Sequence, residues 1–192
     1  KMEKFYDRIN ELEALSQIEK QSEKSACFTV LTGRRRIGKT ELLKHFIKDK
    51  KSVYLFTTRS AEKSLCEQWQ NTLEESIGLK IFGKAESLFN LFEQIMLFSQ
   101  SNHFNLIIDE FQDIEYVNKS FFSQMQNIWD SHKSSSKINL IVCGSIYSLM
   151  TKIFKDKKEP LFGRSTHNIH LKPFKPSVVK TILKDFNPKY KT

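Results

Sequence analysis

Residues 33–40 (GRRRIGKT) have the types and spacing of a loop that binds nucleotide phosphates. The pattern GxxxxGK[S/T] is complete, with Gly33, Gly38, Lys39 and Thr40 at its fixed positions. In such a loop the glycines allow the main chain to approach closely, so that backbone N–H groups point at the phosphate oxygens. The lysine reaches the β- and γ-phosphates, and the threonine hydroxyl binds Mg²⁺. The motif therefore predicts a site for a nucleoside triphosphate and its magnesium ion.

Three arginines and an isoleucine fill the variable positions of this loop, and a glutamate follows it. These residues are Arg34, Arg35, Arg36, Ile37 and Glu41. We expect them beside the nucleotide, because a helix that begins inside the motif directs its N-terminus and its dipole at the phosphates. One arginine can add positive charge there, whereas most of the arginine side chains are expected to face solvent.

Two acidic residues, Asp109 and Glu110, follow the apolar run 104–108. An aspartate at this place is expected to hold Mg²⁺ beside Thr40, mostly through water. The glutamate after it can polarise the water molecule that attacks the γ-phosphate. Acidic residues are common at strand ends, so the pair is informative because a complete phosphate-binding loop precedes it.

Two further residues are candidates for catalysis. Ser145 follows an apolar run and is placed to sense the γ-phosphate or to position the attacking water, although a plain turn serine after Gly144 fits as well. Arg164 ends the segment 160–164 (PLFGR). An arginine in such a loop can reach a γ-phosphate, in its own subunit or in a neighbour, and stabilise charge in the transition state. A structural ion pair is the ordinary role of a single arginine.

Short apolar runs alternate with helical patterns along the chain, and these elements must position the candidate residues. Strands are predicted at 27–32, 52–57, 104–110, 138–143 and 166–171. Helices are predicted at 2–19, 41–48, 62–76, 85–99, 119–131, 146–154 and 176–186. This pattern predicts a three-layer α/β fold, with a five-stranded, mainly parallel sheet covered by helices on both faces. Ligands bind at the carboxyl ends of such strands, where the candidate residues lie.

Composition narrows the class of protein. The length of 192 residues suits one α/β domain. The sequence has no apolar run of about eighteen residues, so we expect no membrane span. Cys27, Cys66 and Cys143 are widely spaced, and we interpret them as buried thiols in a reducing cytoplasm.

The net charge of +9 is unevenly distributed. Residues 1–150 contain 20 Lys and Arg against 19 Asp and Glu, whereas residues 151–192 contain 11 against 3. A basic segment can bind nucleic acid or an acidic partner. A solvated, lysine-rich face is the plainer interpretation, because the lysines are not interleaved with aromatic residues or arginines.

Other classes of nucleotide-binding protein fit less well. GTPases carry an NKxD motif, but residues 118–121 (NKSF) lack its aspartate. The HRD and DFG motifs of protein kinases are absent from the sequence. A glutamate directly after Asp109 favours hydrolysis by water over transfer to a small molecule.

The chain resembles the archaeal-type P-loop ATPases, a branch near the AAA+ and STAND proteins. Four stretches, in the order of the family's motifs, carry the resemblance. They are residues 5–12 (FYDRINEL) for FxxRxxEL, residues 33–40 for the arginine-rich loop, residues 106–112 (LIIDEFQ) for Walker B, and residues 160–164 for PLxGR.

The resemblance implies ATP as the nucleotide and a five-stranded sheet in which the first and third strands are adjacent. It places Phe5 and Arg8 near the adenine and makes Arg164 an arginine finger or a sensor. Family members continue into a helical lid and a winged-helix domain. We therefore expect an ATPase core in residues 1–171, and in 172–192 the start of a lid whose remainder has been removed.

Two functions fit these motifs. The first is a Mg²⁺-dependent ATP-hydrolysing module that couples its nucleotide state to a partner or to DNA. The second is a slow, nucleotide-gated switch or scaffold that holds ATP or ADP with little turnover. Nucleic-acid binding through residues 151–192 or through later domains, and a homo-oligomer of the full-length protein, are further expectations.

Overall fold

The computed structural model of the chain describes residues 5–83 and 85–187, and in them strands alternate with helices as the apolar pattern predicts. The strands are β1 Cys27–Gly33, β2 Ser52–Phe56, β3 Phe104–Asp109, β4 Ile138–Cys143 and β5 His167–Leu171. The helices are α1 Ile9–Ser22, α2 Lys39–Ile47, α3 Glu62–Ile77, α4 Leu88–Ser99, α5 Ile114–Val117, α6 Phe121–His132, α7 Tyr147–Lys155 and α8 Pro176–Phe186.

The five strands form one sheet in the order β2-β3-β4-β1-β5, and each pairing between neighbours is parallel. Parallel strands must be joined by crossovers, which the helices provide. The α/β fold class predicted from the sequence is therefore confirmed.

The expectation that the first and third strands are adjacent is wrong. β4 lies between them, with Phe28 of β1 opposite Leu140 and Leu106 of β3 opposite the same residue. The physical reason is that β4 is apolar enough to be buried along its whole length. Such a strand is most stable in the interior of a sheet, where both of its edges are hydrogen-bonded and both of its faces are covered.

Alternating side chains of the strands face two separate cores, one on each side of the sheet. The smaller core joins α1 and α2 to the sheet through Leu15, Leu31, Leu42, Leu43, Phe46, Ile107 and Ile141. The larger core contains residues of α3, α4, α6 and α7 and includes Phe28, Leu65, Trp69, Phe92, Phe104, Met125, Trp129 and Phe154. The three layers hold the carboxyl ends of the strands in a fixed arrangement.

Several helices begin later than the sequence predicts. The first begins at Ile9, because Asp7 adopts a left-handed backbone conformation with φ of 35°. The predicted residues 2–4 of this helix lie outside the described part of the chain. The fourth helix begins at Leu88 instead of residue 85, because the Ser87 hydroxyl caps it by accepting a hydrogen bond from the Asn90 backbone N–H.

The last helix, α8, is amphipathic and lies on the surface. None of its residues is buried, and its apolar side chains Val179, Leu183 and Phe186 are exposed. No helix within residues 5–83 and 85–187 is long and apolar enough to cross a membrane.

Candidate nucleotide-binding site

The loop between β1 and α2 has the geometry that its glycines allow. Gly38 has φ of 96°, a conformation in which a residue with a side chain is strained. Gly33 lies against β5, where an added Cβ would come within 3.1 Å of the Leu171 Cβ and 3.2 Å of its carbonyl oxygen. The glycines thus let the loop pass close to β5 and turn into the helix. The side chains of Arg34, Arg35 and Arg36 are exposed.

Lys39, the first residue of α2, is buried inside the turn of this loop. Its ammonium group donates hydrogen bonds to the carbonyl oxygens of Gly33 at 2.9 Å and Arg34 at 3.1 Å. Both partners are uncharged, so the positive charge of Lys39 is oriented by the loop without being neutralised by it. Such a charge at a helix N-terminus attracts phosphate. Thr40 and Glu41, in the first turn of α2, are exposed.

Asp109, at the end of β3, is the centre of a polar cluster beside this helix. Its Oδ2 accepts hydrogen bonds from the Thr40 hydroxyl at 3.5 Å and from the Tyr54 hydroxyl at 2.5 Å. Its Oδ1 accepts from the Cys143 thiol at 3.0 Å and from the Glu110 backbone N–H at 2.8 Å. The carboxylate is therefore fixed from several sides at the expected position near Thr40.

The strand register explains why Tyr54 and Cys143 meet Asp109. Tyr54 of β2 pairs with Ile107, whose side chain is on the same face of the sheet as that of Asp109. On the other side of β3, Ile108 pairs with Val142, which places Cys143 beside Asp109. Cys143 is the last residue of β4 and Tyr54 is the middle residue of β2, so the two strands that flank β3 bring both side chains to Asp109.

Burial and the neighbouring carboxylate keep both of these groups neutral. Loss of solvent, reinforced by the hydrogen bond to Asp109, raises the pKa of the Tyr54 hydroxyl well above its usual value. Burial followed by the charge of Asp109 raises the pKa of the Cys143 thiol in the same direction. Tyr54 and Cys143 therefore stay protonated and orient Asp109 as hydrogen-bond donors.

Glu110 turns away from the strand and is held at the end of β4. Its backbone has φ of 51° and ψ of 42°, in the left-handed region. Its Oε2 accepts hydrogen bonds from the Ser145 hydroxyl at 2.8 Å, the Ser145 backbone N–H at 3.3 Å and the Gln112 amide at 2.6 Å. Ser145 thus contacts Glu110 directly, which the sequence did not predict.

Arg164 does not join this group of residues. It lies before β5, and its guanidinium forms a salt bridge with Asp130 at 3.0 Å and donates to the Phe162 carbonyl at 2.9 Å. The other end of β5, at Leu171, is the end that pairs with Gly33. Because β5 alone spans about 16 Å, the Arg164 side chain lies far from the phosphate-binding loop of its own subunit, and of the two expected roles the one toward a neighbouring subunit stays a prediction.

Phe5 contacts helix α2, and Arg8 contacts the loop that precedes this helix. The Phe5 ring stacks on His45, with centroids 4.1 Å apart. The buried Arg8 guanidinium donates to the carbonyl oxygens of Ile37 at 3.2 Å and Lys172 at 3.0 Å. Arg8 therefore ties the phosphate-binding loop to the segment after β5.

Comparison with known proteins decides the family of the chain. The sequence model of an ATPase domain found predominantly in Archaea matches residues 5–192. The chain belongs to this archaeal ATPase family. An uncharacterized protein of Methanocaldococcus jannaschii is 32% identical to this ATPase domain over 187 residues, which are 96% of the chain but 38% of the relative. The chain therefore spans less than half the length of this curated relative.

Solved structures share the fold of the archaeal ATPase domain. The Walker-type ATPase of Pyrococcus abyssi superimposes with a TM-score of 0.69 at 22% identity, over 96% of this chain and 59% of that one. The ORC2 protein of Aeropyrum pernix, solved as ADPNP and ADP complexes, gives 0.68 at 15% identity, over 96% of this chain and 53% of that one. At these identities the likeness concerns the fold.

Three residues of the site of this ATPase domain were missed from the sequence. The sequence alone predicts that Tyr54 lies in a strand, that Cys143 is a buried thiol and that Gln112 is part of a motif, and it indicates no role for any of them in the site. The signal for Gln112 was its place two residues after Glu110. Tyr54 and Cys143 carried no signal until the strand order was known, because neither is close in sequence to Asp109.

Proposed function

We propose that this domain binds ATP with Mg²⁺ and hydrolyses it. The observation that carries the proposal is the convergence of Lys39, Thr40, Asp109, Glu110 and Ser145 at the carboxyl ends of β1, β3 and β4. Membership of the archaeal ATPase family supports the same reaction. Ligands of open parallel sheets bind at the carboxyl ends of the strands, where a helix N-terminus attracts phosphate.

Lys39 and the backbone N–H groups of the loop hold the phosphates in this mechanism. Thr40 and Asp109 would hold the metal ion, and their donor set fits it, because a hydroxyl and a carboxylate that meet at one point offer the oxygen ligands Mg²⁺ prefers. When bound, the ion would supply positive charge that offsets the charge developing on the phosphate oxygens. Tyr54 and Cys143 keep the carboxylate of Asp109 in place.

Glu110 is the general base of the proposed reaction. It accepts a proton from the water whose oxygen attacks the γ-phosphorus, while the bond between that phosphorus and the β-γ bridging oxygen breaks. ADP leaves with the electron pair of the broken bond. Ser145 contacts the same carboxylate, and we propose that it couples the γ-phosphate to Glu110.

The Glu110→Gln variant tests this assignment. We expect it to bind ATP as the wild type does and to hydrolyse it about 10²–10³-fold more slowly, the size of effect typical of a lost general base. Glu115→Gln, on the neighbouring helix α5, is the matched control and should keep wild-type turnover. An unchanged steady-state rate in Glu110→Gln refutes the role of Glu110.

A nucleotide-gated switch with little turnover is the second candidate function. The salt bridge of Arg164 with Asp130 favours it, because the arginine that could stabilise the transition state is held away from the phosphate-binding loop of its own subunit. Single-turnover and steady-state rates, measured with and without DNA, separate the two functions. A negligible rate in every condition supports the switch, and a rate of turnovers per minute or faster supports the enzyme.

The position of Arg164 supports a role in an assembly. Because Arg164 lies at the opposite end of β5 from the phosphate-binding loop, we propose that it acts on the nucleotide of a neighbouring copy. The guanidinium must then exchange Asp130 for the γ-phosphate. Arg164→Ala should lower turnover only at protein concentrations where the full-length protein self-associates.

The basic end of the chain supports coupling to a further partner. We propose that residues 172–192 belong to a helical lid, because the apolar side chains of α8 are exposed and the chain covers only 38% of its Methanocaldococcus jannaschii relative. DNA is one candidate partner, because the net charge of +8 in residues 151–192 attracts phosphate groups, although a solvated, lysine-rich face explains the same charge. The three free, buried cysteines are consistent with a cytoplasmic location.

A further inference from the structure

Gln112 is a buried residue that has no role in the proposed reaction as described above. It is 1% exposed and follows Glu110 in a short 3-10 turn formed by residues 111–113. Its Nε2 donates a hydrogen bond of 2.6 Å to Glu110 Oε2. Because a carboxylate only accepts, this contact requires the amide nitrogen of Gln112 to face Glu110 and its oxygen to face the other way.

The turn that carries Gln112 is rigidly anchored. Phe111 is fully buried, and its ring stacks on Phe122 and Phe154 with centroids 5.2 and 5.7 Å apart. Asp113, at the end of the turn, forms a salt bridge with Arg59 at 2.9 Å. The backbone of Gln112 is thus held on both sides, so its side chain has little freedom to leave Glu110.

Gly144 completes the slot in which the Gln112 amide lies. A Cβ added to Gly144 would lie 2.1 Å from Gln112 Oε1 and 2.7 Å from the Met150 sulfur. The glycine is therefore needed so that Gln112 fits between the ends of β3 and β4. Gln112 Oε1 has no hydrogen-bond partner within the described residues, so the amide is retained there despite the cost of a buried, unpaired oxygen.

We propose that Gln112 is a positioning residue for Glu110, which holds the carboxylate of the general base at the end of β4 through its amide N–H. This inference rests on the proposed hydrolysis of ATP by Glu110. Ser145 also donates to Glu110, but a hydroxyl has a single proton and cannot donate it to Glu110 and to a γ-phosphate at once. Gln112 has no such second use, so it keeps Glu110 oriented when Ser145 turns to the nucleotide.

The Gln112→Met variant of the full-length protein tests the proposal, because methionine has the length of glutamine and no N–H donor. We expect its kcat to fall about 10–100-fold, the cost of misplacing a catalytic group, while its affinity for ATP stays within about twofold of wild type. Gln124→Met is the matched control, since Gln124 on α6 also has a buried, unpaired Oε1 and should show wild-type kcat.

A double variant distinguishes positioning from a general structural effect. In single turnover, Gln112→Met added to Glu110→Gln should cause no further loss, because both changes act through one carboxylate. The proposal is overturned if Gln112→Met leaves kcat unchanged, or if it causes the same loss in the wild-type protein and in Glu110→Gln. Gln112→Glu has the same size and serves if the methionine variant misfolds. Wild-type turnover in Glu110→Gln would overturn the assignment of the base itself, and this inference with it.

Discussion

At the scale of single residues, Asp109 connects the phosphate-binding loop to the sheet. Its two oxygens accept hydrogen bonds from residues of α2, β2 and β4, so three elements determine where one carboxylate points. Tyr54 makes the shortest of these contacts. In metal sites, groups that orient a ligand in this way commonly affect metal affinity as much as some of the ligands do.

Tyr54→Phe removes one hydroxyl and keeps the ring. We expect the Mg²⁺ concentration that gives half-maximal ATP turnover to rise about tenfold or more, because Asp109 loses its shortest hydrogen bond. The measurement is a magnesium titration at saturating ATP. Tyr147→Phe, which changes an exposed tyrosine, is the control. Equal magnesium dependence in Tyr54→Phe and wild type would exclude this role for Tyr54.

At the scale of elements, a row of hydrogen-bonded polar side chains at the amino ends of the strands fixes the register of the sheet. Asn139 of β4 donates to Asn105 of β3 at 2.8 Å, and Asn105 donates to Glu19 of α1 at 2.8 Å. Lys50 donates to the same glutamate at 2.6 Å. Because a strand shifted by one residue would leave these groups unpaired, this row of hydrogen bonds favours one register of the sheet.

Asn105→Ala should lower the free energy of unfolding by about 1–3 kcal/mol, since it leaves the buried Asn139 amide without its partner. The measurement is urea unfolding followed by circular dichroism. Asn127→Ala, on helix α6, is the control for loss of an asparagine side chain. A loss below about 0.5 kcal/mol in Asn105→Ala would show that the chain of polar groups adds nothing to stability.

The sequence predicts the positions of the strands and helices well, but it predicts poorly which strands and side chains are in contact. β3 and β4 were recognised because both are continuous apolar runs, and the loop was recognised because its glycines and Lys39 are adjacent in sequence. The strand order was not predicted correctly, because hydrophobic patterns show that a strand is buried and not which strand pairs with it. The contacts of Tyr54 with Asp109 and of Gln112 with Glu110 were missed for the same reason, since they depend on tertiary register.

At the scale of the whole molecule, the two ends of the sheet carry different chemistry. The carboxyl ends hold the candidate nucleotide site. The amino ends hold Arg164 and Asp130, which line a cleft of about 600 Å³ together with Ser25, Ala26, Trp129, Lys133, Ser134, Gly163, Ser165 and Thr166. Burial alone would raise the pKa of Asp130, but hydrogen bonds from Arg164 and Lys133 outweigh it and lower the pKa.

This pKa predicts a pH-dependent contribution to stability. The ionised Asp130 stabilises the fold above about pH 4, and that contribution is lost as the pH falls through its lowered folded-state pKa. Asp130→Asn should therefore lower Tm by about 1–3 °C at pH 7, a small effect because the pair is partly exposed. The difference should shrink as the pH falls below about 4 and through the lowered pKa of Asp130. Calorimetric scans beside the control Glu13→Gln measure it, and a difference independent of pH would contradict the prediction.

The central claim is that the loop 33–40 holds the phosphates of a magnesium nucleotide. Calorimetric titration of the folded protein with Mg²⁺ and ATP tests it most directly, with Lys39→Ala as the comparison. We predict heat that saturates at one nucleotide per chain in the wild type and is lost or strongly weakened in Lys39→Ala. An intact, folded wild-type protein that gives no heat with ATP or ADP in the presence of Mg²⁺ would contradict the claim.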